Sequence, residues 1–362
     1  MPVQEAPLKI ALVLSASTGG IGRHVASVAS RLVGRGHGVR IFCPPATAAA
    51  HQFGRIEVQP LDRLYRARGA DVLHAHGYKA GAVALVYARL WRIPLVVTWH
   101  NAVLDVGWRG WVGRSLQRLA ARGADLTLGA SGDLVVTARF CGASRAELAP
   151  VAAPRLPPPT LSRPDFRARL GLGEDDILVV TVGRLAPQKN LGMVLDIAAV
   201  SKDQPRLHFV IAGDGPLGAG LAARVRRDGS QVQLVGRCND VASLLGAADV
   251  ALLTSSWEAR ALFAQEAMLA GVPLFSTRVG GIEELVGDAA VLFDLGQVRE
   301  AASALGETVG RPRRLAELAA AGRAQAATWP DEDRVADDLA ATYARLVSEG
   351  AVGHSTKGPH PT

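Results

Sequence analysis

Apolar runs of strand length alternate with longer amphipathic segments along most of the chain. The runs are rich in Val, Leu and Ala, and most of the segments between them carry apolar residues at helical spacing. This alternation is typical of βαβ units and predicts a parallel sheet covered by helices. The strand-like runs of the first part are Lys9–Ser15, Val39–Cys43, Asp71–His76, Pro94–His100 and Asp125–Ser131.

A proline-rich stretch, residues 149–164, interrupts the alternation. Proline lacks a backbone N–H and fits neither a helix interior nor a central strand, so we predict a linker over 151–164. The pattern then restarts with the runs Ile177–Gly183, Leu207–Gly213, Val232–Gly236, Asp249–Ser256, Val272–Thr277 and Ala289–Asp294. The sequence therefore predicts two tandem Rossmann-like parallel-sheet domains facing a cleft. The predicted boundaries are 1–150 and 165–328 for the domains, 329–350 for a terminal helix that crosses back to the first domain, and 351–362 for a disordered tail.

Composition and charge narrow the class of protein. With 49% hydrophobic and 20% charged residues, the chain is expected to be globular, and no apolar run approaches the length of a membrane span. The N-terminal residues do not resemble a signal peptide, and the three cysteines lack the spacing of a disulfide frame or a zinc site. A cytoplasmic protein is therefore expected. Residues 1–150 hold 18 Lys and Arg against 8 Asp and Glu, which favours an anionic partner.

Candidate ligand-binding residues follow the predicted strands, where open parallel sheets bind their ligands. The first strand ends near Gly19 and Gly20, whose backbone N–H groups can approach an anion at a helix N-terminus. Their spacing is not that of a dinucleotide-binding motif, and a tight turn by itself also uses glycine.

The first strand of the second domain ends at Gly183 and is followed by Arg184 and Lys189 on a loop before a helix. Two cations in this position can hold a diphosphate without a metal ion. A solvated basic loop is the alternative interpretation. The turns that end the next two strands supply further candidates, at the rim where backbone groups meet a nucleobase: Gly213, Asp214, Gly236, Arg237 and Cys238.

Two glutamates stand eight residues apart in the last third of the chain, Glu258 in a loop and Glu266 in a short helix. A carboxylate accepts two hydrogen bonds at once, so Glu266 suits a ribose diol and Glu258 a sugar hydroxyl. A helix glutamate is more often simply solvated. The surrounding order favours a site: strand, Glu258, Glu266, Gly-Val-Pro, Val-Gly-Gly.

Taken together, these motifs resemble the retaining glycosyltransferases of family 4, which have the GT-B fold. The resemblance covers nearly the whole chain and rests on Gly19-Gly20, His100, Gly183-Arg184-Leu185 with Lys189-Asn190, Gly213-Asp214-Gly215-Pro216, and the pair Glu258 and Glu266. It implies transfer of a sugar from a nucleotide-diphosphate donor to an unknown acceptor, with retention and without a metal or other cofactor. A UDP-sugar is the first expectation and GDP-mannose the second.

The resemblance also implies a role for each matching residue. Arg184 and Lys189 would hold the diphosphate and stabilise its charge as it leaves. Glu266 would bind the ribose and Glu258 the donor sugar, while His100 would contact that sugar near the reacting carbon. The catalytic set implied is Arg184, Lys189, His100 and Glu258. The donor-binding set implied by the remaining matches is Gly19, Gly20, Gly183, Gly213, Asp214, Gly236, Arg237, Cys238 and Glu266.

The chain departs from the family in the loop after Glu258. The family commonly has Gly-Phe-Gly there, whereas this chain has Ala259-Arg260-Ala261, which leaves the donor sugar open. Arg260 either binds a carboxylate of the donor or acceptor, or points to solvent. The acidic triplet 331–333 matches the Asp-x-Asp of metal-dependent transferases, but it opens an amphipathic helix and is expected to cap it. No metal site is therefore expected.

The segment from Trp108 to Arg122 has the pattern of an amphipathic helix. Arg114, Arg118 and Arg122 lie on one stripe, and Trp108 and Trp111 lie with other apolar residues on a second. Such a helix can sit on an anionic membrane, which favours a lipid-linked or phosphorylated acceptor and a peripheral position at the inner face of the membrane. A helix with its apolar stripe in the core and its basic stripe in solvent fits the pattern equally well.

Other classes of function fit the sequence less well. A catalytically inactive GT-B-like nucleotide-binding protein would have no need to retain Arg184, Lys189, Glu258 and Glu266. A dinucleotide-dependent oxidoreductase would show G-x-G-x-x-G after the first strand, which this sequence lacks. Nucleic-acid binding has only bulk charge in its favour, because aromatic residues make up 5% of the chain.

Overall fold

The computed structural model describes residues 6–17, 19–204 and 206–355, with side chains described up to residue 350. The chain forms two compact units, one of Met1–Pro154 with Pro330–Thr362 and one of Arg155–Trp329. Each unit contains one sheet in which neighbouring strands run parallel. The predicted fold class of two Rossmann-like parallel-sheet domains is confirmed.

The sheet of the first unit has seven strands in the order β3-β2-β1-β4-β5-β6-β7. These are β1 (Lys9–Leu14), β2 (Gly38–Phe42), β3 (Glu57–Gln59), β4 (Val72–His76), β5 (Leu95–Trp99), β6 (Leu126–Gly129) and β7 (Ala146–Leu148). The five central strands coincide with the predicted apolar runs, whereas β3 and β7 were not predicted. Both are three-residue edge strands, which are too short to show a period of their own.

Helices cover both faces of this sheet. The helices of the first 154 residues are α1 (Gly20–Gly34), α2 (Pro45–Ala50), α3 (Tyr78–Trp91), α4 (Gly107–Gly123) and α5 (Gly132–Phe140), with a 3₁₀ turn over Leu61–Ala67. Because α1 crosses from β1 to one side and α3 to α5 cross to the other, right-handed connections place them on opposite faces.

The second unit has six strands in the order β10-β9-β8-β11-β12-β13. They are β8 (Ile177–Val182), β9 (Leu207–Ala212), β10 (Val232–Gly236), β11 (Val250–Leu253), β12 (Leu274–Thr277) and β13 (Val291–Phe293). The helices are α6 (Arg163–Arg169), α7 (Gly192–Val200), α8 (Gly218–Asp228), α9 (Val241–Ala247), α10 (Leu262–Leu269), α11 (Ile282–Val286), α12 (Val298–Val309) and α13 (Pro312–Ala326). Apolar clusters fill both faces of the sheet.

The last helix, α14 (Glu332–Ser355), belongs to the first unit. It packs against α1, and its buried Val335, Leu339 and Tyr343 join the apolar core beneath β1. The carboxylate of Asp331 accepts a hydrogen bond of 2.8 Å from the backbone N–H of Arg334, so the predicted capping role is confirmed. The helix runs to Ser355, five residues beyond the predicted end at 350, and residues 356–362 of the predicted tail lie outside the described residues.

Within the described part of the chain, no helix is both long and apolar enough to cross a bilayer.

Candidate active site

Backbone hydrogen bonds join the carboxyl ends of β8, β9 and β10. The N–H of Gly183 donates to the carbonyl of Ala212 at 3.0 Å, and the N–H of Gly213 donates to the carbonyl of Gly236 at 2.7 Å. A Cβ atom on Gly213 would lie 1.8 Å from the carbonyl oxygen of Gly183, and the φ angle of Gly213 is +148°. Only glycine fits this crossing, so the motif serves to bring three loops together.

Lys189 and Glu258 meet at this edge although 69 residues separate them. The ammonium of Lys189 lies 2.5 Å from Oε1 of Glu258, and the Ser255 hydroxyl donates to the same oxygen at 2.6 Å. Glu258 is 7% exposed. Because a buried carboxylate is costly unless it is paired, the ion pair compensates both charges. The predicted diphosphate-binding cation and the predicted sugar-binding acid are therefore direct partners.

The other predicted donor-binding residues fall into exposed positions and one half-buried position. Arg184, Asp214, Gly236 and Arg237 are exposed at the carboxyl edge, where a ligand can reach them. Cys238 is half-buried and packs against the apolar core, so its thiol serves packing here.

Glu266 is not solvated. It lies on α10, where it is 4% exposed between Gln265 and Ala267, which are also buried. The interpretation of Glu266 as an ordinary solvated helix residue is therefore wrong. A carboxylate is kept this far from water only where polar partners receive it.

Arg260 does not point to solvent. Its side chain is half-buried, with the guanidinium 5.8 Å from the centroid of the Trp329 ring. Burial lowers the pKa of Arg260, and the Glu284 carboxylate opposes that shift. The solvent-facing alternative is corrected on this ground, because the loop that replaces Gly-Phe-Gly turns its arginine onto an aromatic ring.

In the first unit, Gly19 and Gly20 stand where β1 passes into α1, as predicted. One turn into that helix lies His24, whose ring centroid is 5.5 Å from that of His100. His100 directly follows β5 and is 7% exposed. The predicted glycine turn and the predicted histidine are therefore linked through a residue that sequence analysis did not select.

His100 belongs to a group of four buried imidazoles, which we call the histidine cluster: His24, His74, His76 and His100. Nδ1 of His76 lies 3.0 Å from Nε2 of His100. On His74, Nδ1 is hydrogen-bonded to the Tyr343 hydroxyl at 2.5 Å and Nε2 to the Thr98 hydroxyl at 2.7 Å. A sequence signal existed, because His-Ala-His interrupts an apolar run at two positions of the same strand face.

Burial keeps the cluster uncharged. It lowers the pKa of His24 to about 4 and that of His74 to about 3. The pKa values of His76 and His100 are also well below 6.5, first because of burial and then because of neighbouring imidazoles. All four rings are therefore neutral at pH 7. Among the described residues, no group of three or more His, Cys, Asp or Glu side chains is arranged to hold a metal ion.

The structure corrects one alternative for α4. Its buried positions are Gly110, Gly113, Gln117, Ala120 and Ala121. The side chains of Trp108 and Trp111 are 72% and 66% exposed, and Arg114, Arg118 and Arg122 are also exposed. The apolar stripe therefore does not face the core, because small residues form the packed side of the helix.

Two family models of glycosyltransferases match the chain. Residues 162–325 match the family model described as Glycosyl transferases group 1, and residues 55–154 match that of the Glycosyl transferase 4-like domain. Two parallel-sheet units with these matches define a glycosyltransferase of the GT-B type. These matches support a glycosyltransferase of the group 1 and 4-like kind, and the resemblance is borne out at this level.

Two curated relatives are similar over most of this chain. The D-inositol 3-phosphate glycosyltransferase of Geodermatophilus obscurus is 29% identical over 328 residues, which cover 80% of this chain and 69% of the relative. The protein of the same name from Mycobacterium tuberculosis is 28% identical over 309 residues, which cover 77% and 62%. The chain thus spans 62–69% of the length of these relatives.

A solved structure shows the same fold. HepE from Anabaena in complex with UDP has a TM-score of 0.79 at 20% identity, covering 93% of this chain and 100% of that chain. The same protein was also solved in complex with UDP-glucose.

The histidine cluster should make the protein less stable in acid. An unfolded histidine binds a proton below its ordinary pKa of 6.5, whereas the buried rings stay neutral down to about 4 for His24. The unfolded state therefore binds more protons in this window, and the free energy of unfolding should fall as the pH is lowered through it. Each such histidine adds about 1.4 kcal/mol per pH unit.

Urea unfolding followed by circular dichroism at about pH 7 and about pH 5 measures this effect. The His24→Leu variant is the matched comparison and should show a shallower loss, because it lacks one of the four rings. Equal stability of the parent protein at both pH values would contradict the assignment.

Proposed function

We propose that this protein is a retaining glycosyltransferase that moves a sugar from a nucleoside-diphosphate sugar to an acceptor without a metal ion. A UDP-sugar is the favoured donor and GDP-mannose the second candidate. The observation that carries the proposal is the contact of 2.5 Å between Lys189 and Glu258 at the carboxyl edge of the second sheet, where the neighbouring strands β8 and β11 end. Parallel sheets bind ligands at that edge.

The leaving diphosphate is the group that needs stabilisation. In the free protein, the ammonium of Lys189 is neutralised by Glu258 and stays within reach of solvent, with 24% of its side chain exposed. A bound diphosphate offers Lys189 and the neighbouring Arg184 a stronger anionic partner, and Glu258 is then available to accept hydrogen bonds from sugar hydroxyls. Negative charge grows on the diphosphate as the sugar–oxygen bond breaks, so both cations act most strongly in the transition state.

Retention follows from attack on the face that the diphosphate leaves. The departing diphosphate oxygen takes the proton of the acceptor hydroxyl, so no protein nucleophile is needed. Glu266 is proposed to bind the ribose, and Gly19, Gly20 and His100 to contact the donor. The complexes of HepE with UDP and UDP-glucose support a uridine donor here.

The acceptor is proposed to be phosphorylated or lipid-linked. The curated relatives are named D-inositol 3-phosphate glycosyltransferases, which supports a phosphorylated acceptor. The basic N-terminal half of this chain is consistent with either acceptor.

A lipid-linked acceptor is further supported by the surface of α3, α4 and α5, which pack side by side in that order. More than half of the exposed large hydrophobic side chains in the described residues lie on these helices and on the segment before α4. They are Val83, Val86, Leu90, Leu104, Val106, Trp108, Trp111, Val112, Leu119, Val136 and Phe140.

The charges on this three-helix surface are almost all positive. The cationic residues are Lys79, Arg89, Arg109, Arg114, Arg118, Arg122 and Arg139, and the acidic residues are Asp133 on α5 and Asp105 in the segment before α4. Exposed aromatic and aliphatic side chains among arginines suit an anionic bilayer, which pairs with the cations and receives the apolar groups. We therefore propose peripheral attachment to the cytoplasmic face of a membrane.

Removal of either cation of the diphosphate site should slow turnover. Lys189→Ala and Arg184→Ala should each lower kcat by about 10²- to 10³-fold, because each removes one charge that stabilises the leaving group. Release of the nucleoside diphosphate from donor and acceptor measures the rate. Arg226→Ala, at an exposed position of α8, is the control and should behave as the parent. Near-normal rates in both site variants would remove the proposed catalytic role.

The ribose assignment is tested by nucleotide binding. Glu266→Gln should weaken nucleoside-diphosphate binding by about tenfold, or about 1.4 kcal/mol, because a neutral amide accepts weaker hydrogen bonds from a ribose diol than a carboxylate does. Isothermal titration calorimetry with UDP, GDP and ADP measures this and ranks the nucleosides. Glu307→Gln on the exposed side of α12 is the matched control. Unchanged affinity for the preferred nucleotide in Glu266→Gln would refute the assignment.

Vesicle sedimentation tests the three-helix surface. The protein should bind vesicles of phosphatidylglycerol and phosphatidylcholine, and binding should weaken in the Arg114→Ala, Arg118→Ala, Arg122→Ala triple variant and in the Val86→Ser, Leu90→Ser double variant. Leu269→Ser and Leu295→Ser, at exposed positions of the second unit, should leave binding unchanged. If all variants sedimented like the parent protein, or if the parent bound vesicles of pure phosphatidylcholine as strongly as the mixed vesicles, this surface would be excluded as an anionic-membrane site.

A further inference from the structure

Polar side chains interrupt one apolar face of the first sheet where β4 and β5 end. His74 and His76 alternate on β4, Thr98 of β5 lies in register with His76, and His100 follows just beyond the end of β5. Each is at most 7% exposed. Burying polar groups is unfavourable unless they are hydrogen-bonded. Each imidazole of β4 is hydrogen-bonded to one polar side chain at the end of β5: His74 to Thr98 and His76 to His100.

The hydrogen bond between His76 and His100 uses Nδ1 of one ring and Nε2 of the other, so the nitrogen that remains differs between the two rings. Nδ1 of His76 lies 3.0 Å from Nε2 of His100, and the rings stack with their centroids 5.3 Å apart. This contact occupies Nε2 of His100, so Nδ1 is the nitrogen left for a ligand. On His76 the remaining nitrogen is Nε2, which is buried and has no hydrogen-bond partner among the described residues.

The unpartnered nitrogen decides where the protons are. A neutral imidazole carries one N–H donor and one acceptor nitrogen, so one ring must donate and the other accept. Buried donors without a partner are rarer in proteins than under-satisfied acceptors, because an unmet N–H is the less tolerated group. Nε2 of His76 is therefore the acceptor nitrogen, and Nδ1 of His76 donates to Nε2 of His100. Neutral His100 then carries its own proton on Nδ1.

We propose that His76 is a positioning residue that fixes His100 as an Nδ1–H donor, so that His100 offers the donor sugar a hydrogen bond and does not act as a base. Contact between His100 and the sugar rests on the proposed function, whereas the tautomer is a property of the free protein. A donor at this position suits a retaining transfer in which the diphosphate takes the acceptor proton, because no protein base is then required.

The tautomer is tested first, without substrate. Two-bond ¹⁵N–¹H correlation spectra of protein labelled with ¹⁵N-histidine, recorded at neutral pH, show which nitrogen of His100 carries the proton. We expect Nδ1–H in the parent protein. His76→Asn keeps an amide donor and should preserve this tautomer, whereas His76→Asp presents only accepting carboxylate oxygens to Nε2 of His100 and should move the proton of His100 to Nε2. A parent His100 protonated on Nε2, or an unchanged tautomer in His76→Asp, would overturn the proposal.

Kinetics then separate positioning from packing. His76→Asp should lower kcat/KM for the donor by about tenfold or more, because it moves the proton of His100 away from Nδ1, and His76→Asn should keep most of the parent value. His37→Leu is the control: His37 is another buried histidine of the same unit, whose Nδ1 accepts from the N–H of Leu8 at 3.2 Å. It should lower stability but change neither the His100 tautomer nor kcat/KM.

A shifted tautomer with parent-like kcat/KM would overturn the positioning role while leaving the proposed function intact. If Lys189→Ala and Arg184→Ala also turn over normally, the proposed function itself fails. The two proposals can therefore fail separately.

Discussion

Parallel hydrogen bonding within each sheet is the constraint on which the candidate site depends. Parallel strands all finish at the same edge, so the loops that follow them are brought together regardless of their distance along the chain. In the second unit this places Gly183, Gly213 and Gly236 in backbone contact. The crossing is so close that a side chain at Gly213 would strike the carbonyl of Gly183. The glycines therefore set the shape of the edge, and the charged residues next to them are the ones to which the proposed function assigns the chemistry.

Lys189 and Glu258 at this edge neutralise each other in the free protein. Lys189 and Glu258 pair at 2.5 Å, and Ser255 supports the same carboxylate oxygen. A pair of this kind adds little to stability, because desolvation of the two ions offsets most of their attraction. Under the proposed function, the pair holds both side chains in place for a ligand that can replace one partner of each. The charged candidate residues of this unit differ in their exposure to water. Arg184 is exposed, Lys189 is partly exposed, and Glu258 and Glu266 are buried.

In the first unit, polar imidazole rings are buried in an apolar core. Tyr343 reaches His74 from α14, 269 residues further along the chain, and closes one end of the histidine cluster. His24 closes another side from α1. Neutral imidazoles tolerate this burial because they bond each other and nearby hydroxyls. The return of α14 to the first unit is therefore part of what holds His100 in place.

The sequence by itself determined the class of fold, eleven of the strands and the candidate residues that follow them, because strand-length apolar runs and strand-end motifs are local signals. It missed β3 and β7, which are too short to show a period. Only the tertiary structure decided that Lys189 contacts Glu258, that Glu266 and Arg260 turn away from water, and that the aromatic stripe of α4 faces solvent. The same holds for the pairing of His76 with His100. Each of these outcomes depends on which distant segment lies opposite a side chain, and no local pattern of polar and apolar residues contains that information.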